Sequence, residues 1–251
     1  MLAAMKTPLS IVTGASRGLG LALARQLLAT GAHVLTISRH PAALAAGGGA
    51  LEQWTADLAD PAPVAARLEA WLRAVDPATL ASATLVNNAG VISRLAPLAD
   101  VPAADLANAL RVGLEAPMLL SAAFLRATAA WTLPGRLLLV SSGLGRRAMA
   151  GSASYCAAKA GLDHLARALA LEEAARPHGA RIVSLAPGVI DTDMQVQLRA
   201  ADPARFPDHG RFVGLKAGGQ LDSPDEAAAR VLRFLARADF GAVPVADVRD
   251  A

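Results

Sequence analysis

The chain has 251 residues, 54% apolar and 18% charged. That composition supports a large buried core and excludes wholesale disorder. Its 24 basic and 21 acidic side chains leave a net charge of +3, and no run of Lys or Arg is long enough to suggest a nucleic-acid tail.

In chain order, short apolar runs alternate with longer helical patterns. Strands are expected at 9–13, 33–38, 53–56, 84–87, 136–141, 181–186 and 242–245, and helices at 18–30, 62–75, 103–131, 153–176 and 224–237. The alternation predicts an α/β fold: one doubly wound Rossmann-type domain over 1–251, with a parallel sheet of about seven strands covered by helices on both faces. Continuous apolar strands such as Leu137-Leu138-Leu139-Val140 fit a sheet buried on both sides. The segment 188–221, rich in Pro and Gly, is expected to be a long loop that closes on a substrate.

A single cysteine, Cys156, excludes an intramolecular disulfide framework. The five histidines and this cysteine show no metal-ligand spacing, so no metal is expected. No uncharged apolar run reaches the ~18 residues of a membrane span. The segment Met1–Pro8 is too short for a signal peptide. A cytoplasmic protein is the expectation.

Thr13-Gly14-Ala15-Ser16-Arg17-Gly18-Leu19-Gly20 lies between the first strand and the first helix. Glycines there allow a sharp turn and close approach of the backbone to a pyrophosphate, which the helix N-terminus then faces with free N–H groups. Gly14, Ser16, Arg17, Gly18, Leu19 and Gly20 are therefore candidate cofactor contacts. An NAD-preferring site would carry Asp or Glu at the end of the second strand. The chain reads Ile37-Ser38-Arg39-His40 instead. Arg39 and Arg17 at the adenosine end suit a 2′-phosphate and point to NADPH.

Tyr155-Cys156-Ala157-Ala158-Lys159 opens the fourth helical pattern. Its i, i+4 spacing puts a phenol and an ammonium on one helical face. A nearby cation should lower the phenol pKa from ~10, as suits a general acid/base. Ser142, at the carboxyl end of a strand, can donate to a carbonyl oxygen that Tyr155 protonates. There is no GxSxG elbow to support a hydrolase instead.

Together with Asn87-Asn88-Ala89-Gly90 and Pro187-Gly188, these motifs resemble the short-chain dehydrogenase/reductase family in order and spacing. The resemblance implies that Asp57 and Leu58 contact adenine and that Asn88 and Gly90 line the ribose. Tyr155 would be the acid/base, Lys159 would bind the nicotinamide ribose and lower the tyrosine pKa, and Ser142 would orient the carbonyl. Pro187, Gly188, Ile190 and Thr192 would hold the nicotinamide and its phosphate. Within the family, Asp191-Thr192-Asp193-Met194-Gln195 and the Asp-containing tail resemble sepiapterin reductases and bacterial reductases of diketones such as benzil. Met194 and Asp247 become the candidate substrate contacts, Asp247 by analogy with a pterin-anchoring Asp.

One position departs from the family. Gly113 stands where a helix Asn is usual, with Pro117 four residues on. The family Asn braces a helix distortion whose backbone carbonyl holds a water joined to the active-site lysine. Gly and Pro are both poor interior helix residues, so a kink is still expected. The expected activity is NADPH-dependent reduction of a ketone or vicinal diketone; the alternative is an NADPH-sensing protein without turnover. Small residues on 153–176 (Ala157, Ala160, Gly161, His164, Ala168) suggest helix contact across a two-fold axis, hence a homodimer or homotetramer.

Overall fold

The computed structural model describes residues 6–45 and 47–250. Met1–Met5, most of the segment weighed as a signal peptide, lie outside the described residues, as do Ala46 and Ala251.

Leucine, valine and isoleucine runs form seven parallel strands, β1 (Thr7–Thr13), β2 (His33–Ser38), β3 (Leu51–Thr55), β4 (Leu80–Asn87), β5 (Gly135–Val140), β6 (Arg181–Ala186) and β7 (Val245–Asp247), in the order β3-β2-β1-β4-β5-β6-β7. Between them run α1 (Gly18–Ala29), α2 (Pro61–Ala74), α3 (Ala103–Leu110), α4 (Ala116–Ala127), α5 (Ala153–Ala174), α6 (Asp193–Arg199), α7 (His209–Ala217) and α8 (Pro224–Ala236). This is the doubly wound single domain expected from the alternation.

The period of two along a strand divides the core. On β5, Leu137 and Leu139 pack with α2, α4 and α5, while Leu138 and Val140 pack with α1 and α8. Strand order reverses between β1 and β4, and the carboxyl ends of the strands open there into a crevice, the usual ligand site of such sheets.

Three expectations need correction. The 103–131 helix is interrupted. Pro117 has no N–H to give the Gly113 carbonyl, so the i→i−4 ladder breaks. A π-helical turn forms at Arg111–Glu115, where the Ala116 N–H reaches the Arg111 carbonyl. The helix then ends at Ala127, where Thr128 directs both its backbone N–H and its Oγ1 to the Phe124 carbonyl, at 3.0 and 2.9 Å. Second, 188–221 is not a bare loop but contains α6 and α7. Phe206 and Phe212 stack with centroids 5.7 Å apart and pack with Met149 and Leu198. Third, the last strand is Val245–Asp247 rather than 242–245. Pro244 cannot donate to a ladder, and only its carbonyl joins, accepting from Ser184 at 2.8 Å.

Candidate active site

The crevice is a cleft of about 1030 Å³ lined by residues from every carboxyl-end loop. All of the site residues anticipated from the sequence lie on its wall: Gly14 through Gly20 (except Ala15), Arg39, Asp57, Leu58, Asn88, Gly90, Ser142, Tyr155, Lys159, Pro187, Gly188, Ile190, Thr192, Met194 and Asp247.

The phosphate loop is shaped by contact. Gly14 has φ +67, and a Cβ there would stand 2.8 Å from Ala89 Cα. A Cβ at Gly20 would fall 2.3 Å from the Gly14 carbonyl oxygen. Two β-strand ends are then stitched together. Thr13 Oγ1 accepts from the backbone N–H groups of Asn88 and Ala89, each at 3.0 Å. Asn88 Nδ2 donates to the carbonyls of Thr13 at 2.9 Å and Gly14 at 3.3 Å. Asn88 thus braces the loop with its side chain. α1 begins with no acidic residue in its first turn and no side-chain cap, so its N–H groups remain open to an anion.

At the end of β2 Arg39 is exposed, and among the described residues it forms no ion pair. Arg17, exposed on the same wall, reaches towards α6. Its Nη1 donates to Asp193 Oδ2 at 2.7 Å, linking the phosphate loop to α6. Asp57 Oδ1 accepts from the Ala59 N–H at 3.0 Å and shapes the turn beneath the cleft.

Ser142, Tyr155 and Lys159 meet at the floor. Ser142 Oγ caps the short turn Gly143–Gly145 by accepting from the Leu144 N–H at 3.2 Å. Lys159 is 4% exposed, and its Nζ donates to the Val140 carbonyl at 2.7 Å. The same Nζ lies 5.5 Å from the Tyr155 ring centroid. Burial pushes the Tyr155 phenol up to about 12, against a lowering hydrogen bond from Ser142. This corrects the expectation of a lowered tyrosine: the lysine ammonium sits over the ring and on a carbonyl, so desolvation prevails. Burial likewise brings the Lys159 ammonium down to about 8, with Asp163 acting the other way.

Asp247 lines the cleft, yet its carboxylate is engaged. It accepts from Arg249 Nε at 2.8 Å and Nη2 at 2.6 Å, and Arg146 Nη2 lies 3.7 Å away. The Arg249 hydrogen bond, foremost, holds the carboxyl below its usual range. A substrate meeting this tail finds guanidinium rather than free carboxylate. Ile92, Leu144, Met149, Met194, Phe212 and Leu215 belong to one apolar cluster and together line part of the cleft.

Residues 9–203 match the family model described as short chain dehydrogenase. The chain belongs to the short-chain dehydrogenase/reductase family. It is therefore an oxidoreductase of the nicotinamide-cofactor kind. Among its relatives, a benzil reductase ((S)-benzoin forming) of Bacillus cereus is 32% identical over 241 residues, 92% of this chain and 94% of that protein. A solved short-chain dehydrogenase/reductase from Burkholderia vietnamiensis is 40% identical with a TM-score of 0.67, covering 99% of both chains. A putative NAD(P)-dependent gluconate 5-dehydrogenase from Beutenbergia cavernae, solved with NADP bound at low occupancy, is 32% identical with a TM-score of 0.80, covering 98% of this chain and 96% of that one.

Several contributors to this family site were not singled out from the sequence. Thr13 was visible within the glycine motif but not as a brace. Asn87, 2% exposed, donates to Ser121 Oγ at 3.1 Å, and Ser121 donates to the Pro117 carbonyl at 2.6 Å, tying β4 to the interrupted helix. Asp163 follows Lys159 by one helical turn, a spacing that could have drawn notice.

Proposed function

We propose that the protein reduces a ketone or vicinal diketone with NADPH, using Tyr155 as proton donor. The observation that carries this reading is that the one tyrosine of the whole chain stands on the cleft floor beside Ser142 and Lys159.

The residues present fit a nicotinamide dinucleotide. The uncapped start of α1 and the glycine-tight loop suit the pyrophosphate, and Arg39, with no acid on β2's end, suits a 2′-phosphate. When bound, this cofactor supplies the hydride. Ser142 Oγ–H donates to the substrate carbonyl oxygen, and Tyr155 gives that oxygen its proton as hydride reaches the carbon, leaving a hydroxyl group. A phenol pushed up to about 12 remains protonated at working pH and so carries a proton to give. Lys159 spends one of its three N–H donors on Val140. The others serve the ribose hydroxyls and the return of a proton to Tyr155. The π turn at Gly113 keeps the interrupted ladder that the family's proton relay requires, without the family's Asn.

The apolar wall of Ile92, Met149, Met194 and Phe212 suits an aromatic or otherwise apolar vicinal diketone, the class named for the Bacillus cereus relative. We place the protein in the cytoplasm and as a homodimer or homotetramer. The outward residues Ala157, Ala160, His164 and Ala168 are exposed on α5, and Met118 and Leu171 are exposed at 44% and 77%. Mixing the protein with NADPH and a panel of ketones and diketones, and following loss of reduced-cofactor absorbance, tests the function. Turnover on vicinal diketones is expected. Tight NADPH binding with no turnover on any carbonyl would favour the sensing role instead.

A further inference from the structure

Asp163 takes no part in the chemistry above, yet at 2% exposure it is the most deeply buried charged side chain among the described residues. It lies one turn beyond Lys159 on α5. Its Oδ1 accepts from the Ser184 hydroxyl of β6 at 2.7 Å, while Oδ2 has no hydrogen-bond partner. The closest cation to Oδ2 is Arg146 Nε at 3.9 Å, on the loop that carries Ser142. Gly145 makes the approach possible: a Cβ there would stand 2.7 Å from Oδ2 and 2.9 Å from the Lys159 carbonyl. One carboxylate therefore joins the lysine's own helical turn, β6 and the Ser142 loop.

A buried carboxylate with an unfilled oxygen is costly unless a nearby cation answers it. Two cations are placed to do so, Lys159 on the same helical face and Arg146 from the loop. We propose that Asp163 is a positioning residue for the reduction: its buried charge keeps the Lys159 side chain as an ammonium seated on the cleft floor, and Arg146 sets how much of that charge reaches the lysine. This rests on the reading of Tyr155 and Lys159 as the reducing pair.

The groups facing this cluster are few. α5 contributes Tyr155 and Lys159, the Ser142 loop contributes Ser142 and Arg146, and β6 contributes Ser184. β7 contributes Asp247, which is occupied by Arg249. From the β4 loop Gly90 lies near Nζ, where a Cβ would stand 3.7 Å away, and from the π turn Gly113 lies beside Ala158. Of the two carboxylates named here, Asp247 has a bidentate arginine partner and Asp163 does not.

The test needs no substrate. Lys6, Lys159 and Lys216 are the only lysines, so NMR titration of the lysine ε-carbons resolves Lys159 directly. One signal is expected to titrate near 8 in the native protein. Asp163→Asn keeps the shape and the Ser184 contact but removes the charge, and should lower that midpoint by about one unit. The alkaline limb of the reduction rate should move down with it. Arg146→Gln changes a part-exposed side chain and should move the midpoint up. A Lys159 midpoint unchanged in Asp163→Asn overturns the proposal. If Asp163→Asn does not fold, an unchanged midpoint in Arg146→Gln does so. A native protein inactive on every carbonyl would instead defeat the reductase reading, with the lysine titration still deciding the role of Asp163.

Discussion

The phosphate loop and the 188–221 segment face each other across one cleft but are held in different ways. The loop is fixed by local necessity: Gly14 at positive φ, Gly20 against a carbonyl, and Asn88 donating to Thr13 from both its backbone N–H and its side-chain amide. The segment opposite is fixed at a distance, by Phe206 and Phe212 stacking in a small apolar cluster with Met149 and Leu198. A backbone held by such close contacts has few alternatives. A segment held by side-chain stacking has many, and tertiary packing selects among them.

Variants can break that comparison. The largest effect is expected where the halves join. Tyr155→Phe should lower kcat/KM by about a thousand-fold or more while NADPH affinity, read by fluorescence titration, stays near native, since only the acid is removed. On the cofactor side, Arg39→Ala should weaken NADPH by about 10- to 100-fold and NADH far less, because a charge-assisted bond to the 2′-phosphate is lost. Equal weakening of both cofactors would show that Arg39 does not read that phosphate. On the substrate side, Phe212→Ala should cost about 3 kcal/mol of stability in denaturant unfolding. It should raise KM for an aryl diketone without changing cofactor affinity. The smallest effect is expected at the π turn. Gly113→Asn adds a side chain whose Cβ meets Ala158 Cβ at 3.1 Å, but the distortion it would brace already exists, so activity should stay within about two-fold.

The legibility of the two halves differed for the same reason. Motifs that fix a backbone locally, such as 13–20 and 155–159, were readable because few residue types satisfy them. The interruption at 111–115 was foreseeable as a kink from Gly113 and Pro117, although its π form depends on how α3 and α4 pack. α6 and α7 were hidden because they have only 7 and 9 residues amid prolines and glycines. Nothing in the local pattern announces the Phe206–Phe212 stack. The pairing of Arg17 with Asp193 was also out of reach, because the two lie 176 positions apart. For Tyr155 the sequence names the neighbours but not their balance. Its lysine lies over the ring and bonds Val140, so burial rather than the cation sets the phenol.

That balance is the core of the reductive assignment, which needs Tyr155 to carry its proton. Because the chain has a single tyrosine, tyrosinate absorbance against pH reports this residue alone. The account predicts no tyrosinate band up to ~10, the ordinary tyrosine value, and a midpoint near 12 while the protein remains folded. A band growing in near neutral pH would contradict it, because Tyr155 would then be a resting phenolate and the proton donor would have to be another group.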